Sequence, residues 1–322
     1  MTADHKKAKL VEEGEACGKL TDLVFRDPDN FKAGELHNNY MYWEEVFHRT
    51  SSPKHEEVLG WIRDKVSIAP YFRHFKGDFK GSSYDSGRPP AKTFKNNTSC
   101  KPFTQFVQKT LINRVKCGAI TIVGKVGVAY PPHIVLPLTV EATKPRLCHD
   151  ARYLNLWMCD MQFSPDSVSD LPRYVQRDTY ETVLDEKSGY DHILLTEESR
   201  TFFGIQWGGW CFTYNTLPFG WKLSPYVYHT TGLLRSINFF RSISIPCSLC
   251  IEERHNGELQ VPLDKGEYCT TDNGDARHRA AAESAVFLVA YHLVRLGYFL
   301  GLEKSVLVPS QTVPFLEWRG SF

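Results

Sequence analysis

Three carboxylates in this chain stand where phosphoryl-transfer chemistry would need them. Residues 180–185 have the composition of a strand that ends on Asp185, followed by the turn-forming Glu186-Lys187-Ser188-Gly189 and then Tyr190. A second run, residues 243–251, alternates Ile243, Ile245, Cys247, Leu249 and Ile251 with small or polar residues and leads into Glu252 and Glu253. A strand end is a rigid support for a metal ligand. Carboxylates at two such ends suit two-metal phosphoryl transfer, with hard oxygen ligands for Mg²⁺ or Mn²⁺ and ions about 3.5–4 Å apart. Each piece has a plainer reading too, Asp185 as a turn residue and Glu252-Glu253 as a solvated hairpin tip. Between them, Leu217-Pro218-Phe219-Gly220-Trp221-Lys222-Leu223-Ser224-Pro225 reads as a turn entering a helix, with Gly220 permitting close backbone approach.

The elements that must hold these groups are legible at low resolution. At 322 residues, with 42% hydrophobic and 23% charged residues, the chain is long enough for one large domain or two. No stretch approaches the ~18 apolar residues of a membrane span. The lysine-bearing first ten residues are not followed by an apolar run, so an intracellular chain without a secretion signal or membrane contact is expected. Helical spacing marks residues 42–47, 56–66 and 103–115, the last closed by Gly118. Strand-like runs follow at 120–123, 134–140 and 146–148. A longer helix is expected over 276–296, capped by Asp275 and closed by Gly297, with Ala281, Ala285, Leu288, Val289 and Leu293 turned to a sheet. Together these predict an α+β fold.

Charge and cysteines narrow the chemistry. The formal net charge of +1 hides a basic stretch: residues 73–125 hold eleven Lys and Arg against Asp78 and Asp85. Phe72, Phe75, Phe79, Tyr84 and Phe94 are interleaved with it, a pattern that fits tracking a phosphate backbone and stacking bases, or equally a solvated loop around residues 81–90. Nine cysteines, an odd number, do not form a disulfide framework. Cys247 and Cys250 sit three apart in a strand pattern, which turns them to opposite faces and disfavours a zinc or redox site.

Taken together, the blocks resemble a known family in order and spacing. Lys144-Pro-Arg146 through Asn155, Asp185 through Ile193, residues 217–225 and residues 313–318 are similar to consecutive blocks of a retroelement reverse transcriptase. The wording of these blocks, and of Val58-Leu-Gly-Trp-Ile-Arg and Lys76-Gly-Asp-Phe-Lys-Gly upstream, is most similar to DIRS-like, tyrosine-recombinase retrotransposons. The resemblance spans residues 40–318. It implies a right-hand fold of fingers and palm, the palm an antiparallel sheet backed by helices. On that pattern, residues 1–69 form an N-terminal helical extension and 70–99 a basic linker. Fingers lie at about 100–172 and 194–220, and palm at about 173–193 and 221–322.

The resemblance also implies roles. Asp185, Glu252 and Glu253 occupy the metal-binding, catalytic positions. Tyr190 matches the residue beneath the incoming sugar that excludes a 2′-hydroxyl. Lys144 and Arg146 match finger residues that neutralise the triphosphate. Phe219 and Gly220 match the block lining nucleotide and template, Lys304 a lysine near the leaving pyrophosphate, and Phe315, Leu316 and Trp318 the primer grip. The implied partners are a primed RNA or DNA template, deoxynucleoside triphosphates and other segments of a parent polyprotein.

Two departures stand out. Where the family has two aspartates this chain has Glu252 and Glu253, each one methylene longer, and Glu317 replaces a glycine of the primer grip. No thumb, RNase H or recombinase block is recognisable, so a truncated or degenerate copy is expected. The reading is template-directed DNA synthesis weakened or lost at a degenerate site, with a non-catalytic nucleic-acid-binding remnant of a polyprotein as the alternative.

Overall fold

The computed structural model describes residues 20–48, 54–143, 145–164, 180–242, 251–253, 258–260, 272–315 and 318–321. Their core is organised by two sheets. The larger has five strands in the order Lys92–Thr93, Ile134–Val135, Gly204–Trp207, Trp210–Tyr214, Ile120–Lys125, parallel in its first two pairings and antiparallel in the others. The helix Thr104–Lys116 packs against the edge strand Ile120–Lys125. Gly118, at φ +82°, makes the left-handed step that lets the chain reverse from helix into strand, as its place in the sequence predicts. None of the five strands carries a carboxylate, and neither does the helix; residues 86–140 and 199–251 contain no Asp or Glu.

The expected strand over 134–140 is two strands. Ile134–Val135 joins the large sheet and Leu138–Glu141 pairs antiparallel with Arg146–His149, Glu141 opposite Arg146. Pro137 stands between them, where it has no N–H to give a ladder. Its carbonyl accepts instead from the Asp150 N–H at 2.9 Å.

The smaller sheet is antiparallel, in the order Ile251–Glu253, Glu258–Gln260, Glu181–Asp185, Val306–Ser310. The helix Asp272–Leu296 lies across its last two strands. It begins earlier than the sequence suggests, at Asp272, so Asp275 is a helical residue and not the cap. Its end matches expectation. Gly297 takes φ +104°, the Gly297 N–H reaches the Val294 carbonyl at 3.2 Å and the Tyr298 N–H reaches that of Leu293 at 2.9 Å, the paired bonds of a Schellman motif.

Ala285, Leu288, Val289 and Leu293 are buried as predicted, but so are Ala282, Val286, Phe287 and Ala290. The helix Tyr40–His48 contributes to that burial. Fully buried Trp43 donates its indole N–H to the Leu296 carbonyl at 2.9 Å, Tyr42 hydrogen-bonds and stacks on His292, and Arg295 lies 4.0 Å over the Tyr42 ring. The helix His55–Arg63 packs on the helix Ser224–Ser242 through Trp61 and Tyr226. These N-terminal helices share one continuous core with both sheets.

The basic stretch is neither a loop nor a set of free aromatic rings. Phe75–Phe79 and Ser82–Ser86 form a hairpin whose two connecting residues, Lys80 and Gly81, both have positive φ. Alternation turns Phe75, Phe79 and Tyr84 inward onto Tyr153 and Trp157, with centroids 4.9–5.6 Å apart, and Phe94 joins them. The rings expected to stack bases therefore pack on the core, and of the expected solvated loop over 81–90 the part Ser82–Ser86 is strand while 87–90 stay outside any strand. Period-two spacing sends the aromatics to the core and the lysines to water. No helix among the described residues is long and apolar enough to cross a membrane.

Candidate active site

Asp185 ends an interior strand, hydrogen-bonded on one side to Glu258–Gln260 and on the other to Val306–Ser310. It is 4% exposed and held from the main chain outward. Its N–H donates to Ser305 Oγ at 3.0 Å, and its carbonyl accepts from the Gly301 N–H at 2.7 Å. Gly301 is required for space, because a Cβ there would lie 2.1 Å from Asp185 Oδ2. The Gly301–Ser305 turn closes on itself through Lys304 and Ser305 N–H bonds to the Gly301 carbonyl, and Lys304 lines the same cleft as Asp185.

On the other flank the chain turns sharply after Glu186. Lys187 N–H bonds to the Phe299 carbonyl at 2.8 Å, Ser188 adopts φ +54°, and Tyr190 emerges with its ring against Phe219 at 4.7 Å and Tyr228 at 5.2 Å. The result is a cleft of about 400 Å³ lined by Asp185, Glu186, Tyr190, Phe219, Lys304 and Arg114 among others. Four of the nominated residues, Asp185, Tyr190, Phe219 and Lys304, from three separate segments, therefore converge on one space.

Other nominated residues lie elsewhere. Arg146 is exposed on its hairpin and does not line the cleft. Gly220, at φ +93°, packs beneath that hairpin; a Cβ would fall 2.5 Å from the His149 carbonyl oxygen. Phe315 pairs with Trp318 across the hairpin Thr312–Phe315/Trp318–Ser321. Lys144, Leu316, Glu317, Cys247 and Cys250 lie outside the described residues. Backbone register sets Glu253 opposite Glu258 and Glu258 opposite Asp185, whereas Glu252 falls in the row of Leu184. Asp185 is the member of the expected metal-binding trio whose side chain is described, and no cluster of three metal-ligating groups occurs among the described residues.

Sequence reasoning missed several contributors. Arg114, half-buried near the end of its helix, pairs with Asp191 at 3.0 Å, and Thr216 Oγ1 donates to the same carboxylate oxygen at 2.9 Å. Burial opposes the guanidinium charge, yet Asp191 holds it above its ordinary range. The signal was present as one arginine in a basic run, with nothing local to mark it. Glu186 and Tyr228 are joined by a hydrogen bond across 42 residues, which no spacing rule reveals. Near the cleft, His149 is buried against Tyr214 with neither ring nitrogen hydrogen-bonded among the described residues, and burial, aided by Arg114, pushes its pKa down to about 3.

This geometry can be set against known proteins. No family model matches the chain, and no curated protein matches it. Among solved structures, the foamy viral protease–reverse transcriptase in complex with double-stranded DNA superposes with a TM-score of 0.53 at 16% identity, covering 88% of this chain and 47% of that one. The same viral protein in complex with an RNA/DNA hybrid gives 0.52 at 15% identity, covering 87% and 34%. The fold is that of a reverse transcriptase. A further complex with double-stranded DNA gives 0.51 at 16% identity, covering 88% of this chain and 56% of its own. The chain thus spans between about a third and just over half of these reverse transcriptases.

Proposed function

We propose that this chain is a reverse transcriptase-like domain for template-directed DNA synthesis, of the DIRS-like retrotransposon type, with its cleft as the nucleotidyl-transfer site. The observation that carries the proposal is the convergence of Asp185, Tyr190, Phe219 and Lys304 on one cleft, since the resemblance drew them from three separate segments of the chain. In this reading the four-stranded sheet and its helices are the palm, residues 100–172 and 194–220 the fingers, and the hairpin carrying Phe315 and Trp318 the primer grip.

The donor set fits Mg²⁺ or Mn²⁺. Carboxylates are the hard oxygen ligands these ions take; Asp185 ends one strand of the sheet, with Glu258 on the next strand and Glu253 on the one beyond in the same row, and Gly301 keeps the space beside Asp185 Oδ2 clear. Asp185, Glu252 and Glu253 would hold the ions, which supply charge neutralisation and a more acidic primer hydroxyl. Lys304 would meet negative charge on the leaving pyrophosphate, Tyr190 would seat the sugar, and Phe219 would face the base. Arg114 fixes Asp191, one residue beyond Tyr190, and so steadies that wall of the cleft. The partners are a primed RNA or DNA template and deoxynucleoside triphosphates.

Glu252 and Glu253 set the rate in this reading. A misplacement on the order of 1 Å costs about 10²-fold, and one extra methylene in each ligand is enough to produce it. The same departure favours a second reading, a polyprotein segment that binds nucleic acid without polymerising. Primer extension on an RNA template separates them, comparing the unmodified chain with Asp185→Asn and with Glu252→Asp plus Glu253→Asp. Extension by the unmodified chain, lost in Asp185→Asn and raised about 10²-fold by the double change, is the expected outcome. Extension by the double change alone would favour the second reading, and silence from all three would remove the first.

A further inference from the structure

The cleft contains a chain of contacts that none of the roles above uses. Glu186, buried to 2% beside Asp185, accepts a hydrogen bond from Tyr228 Oη at 2.5 Å. Tyr228 sits near the start of the helix Ser224–Ser242, 5% exposed, and its ring does two further things. It meets the Tyr190 ring edge to face, with centroids 5.2 Å apart and planes at 72°. It also presses on the backbone just before Tyr190, since a Cβ on Gly189 would lie 2.4 Å from the Tyr228 hydroxyl.

We infer that Glu186 and Tyr228 are positioning residues that fix Tyr190 and thereby set the discrimination between deoxyribose and ribose. The inference rests on the polymerase reading of the cleft. Anchoring the hydroxyl on Glu186 defines where the Tyr228 ring lies, and the ring in turn bounds both the backbone at Gly189 and the side chain of Tyr190. A steric filter works only if its wall cannot recede, and the Tyr228 ring backs that wall from the helix while Phe219 meets it from the preceding turn. A charge-assisted bond from a phenol to a buried carboxylate is among the stronger side-chain hydrogen bonds, which suits a fixed prop. The competing assignment makes Glu186 a metal ligand. Its Oε2 is engaged by Tyr228, and the two assignments predict different metal dependence.

The test uses the full chain, with Tyr228→Phe, Glu186→Gln and the double variant. Phe keeps the ring and Gln keeps the volume, and melting curves establish that each variant folds. The readout is the ratio of dATP to ATP insertion efficiency on a primed template, or of their dissociation constants on a terminated primer if turnover is absent, each across a Mg²⁺ titration. Tyr228→Phe should lose about tenfold of discrimination, the scale of one hydrogen bond. Glu186→Gln should lose less, because an amide oxygen still accepts, and the double variant should lose no more than Tyr228→Phe because both act through one bond. The Mg²⁺ midpoint should not move. Unchanged discrimination in Tyr228→Phe, additive losses, or a shifted Mg²⁺ midpoint in Glu186→Gln would each overturn the inference. A parent chain that neither extends a primer nor binds dATP sinks the polymerase reading, and this inference with it, and is recognisable because it fails before any substitution.

Discussion

Gly301 shows how closely one residue can govern the cleft. Its backbone bonds to Asp185 and its missing side chain leaves room for the Asp185 carboxylate, so Gly301→Ala would force that carboxylate to rotate away. The backbone at Gly301 does not take the left-handed conformation that an alanine resists, so stability should fall by only about 1–3 kcal/mol, as for local overpacking. Mg²⁺-dependent primer extension should fall by about 10²-fold or more. Paired melting and extension measurements check the asymmetry; equal loss of both would contradict it. At this scale the sequence was informative where a residue type and its neighbours form a block, as for Asp185, Tyr190, Phe219 and Lys304. It was silent on Arg114, Glu186, Tyr228 and Glu258. Their positions follow from strand register and helix docking, which are properties of the assembled fold.

At the scale of elements, spacing identified type well and boundaries less well. The helix Thr104–Lys116 and the terminating glycines Gly118 and Gly297 lie where periodicity and capping rules put them. The run 134–140 divided because one proline has no donor for a ladder. The largest revision is the hairpin Phe75–Phe79/Ser82–Ser86, where aromatic and basic residues alternate and the rings face Tyr153 and Trp157. A composition argument cannot distinguish rings that stack on bases from rings that stack on a core, whereas the period-two pattern does. Phe79→Ala should therefore lower stability by about 1–3 kcal/mol, in line with a half-buried ring, and leave the affinity for an oligonucleotide unchanged. Thermal melts and binding titrations would reveal the opposite pattern if the ring met bases directly.

For the molecule as a whole, the two sheets and the N-terminal helices share one core, and so one titrating group inside it affects the whole fold. His149 has its folded pKa near 3, below the ordinary 6.5, so the native state favours the neutral ring. Above about pH 6.5 neither state binds the proton and the stabilisation is complete. Between there and about pH 3 the unfolded chain takes up a proton that the folded chain refuses, and stability drops by roughly 1.4 kcal/mol per pH unit. Melting temperatures recorded from pH 7 to pH 4 should fall more steeply for the unmodified chain than for His149→Phe, which has no ring nitrogen to take up a proton. Parallel curves would show that His149 is not the group responsible. The sequence placed His149 inside a resembling block but gave no sign of its burial, because that depends on Tyr214 and the Gly220 turn closing over it.

The five-stranded sheet and its helix hold no carboxylate, while the four-stranded sheet carries Glu181, Asp185, Glu252, Glu253 and Glu258. A chain with a formal charge of only +1 therefore divides charge unevenly between its two main sheets. In the field of a polyanion such a body experiences little net pull but a strong torque. Approach would be oriented before contact, basic layer first, and the acidic layer would be left facing away from the incoming strand unless cations compensate it.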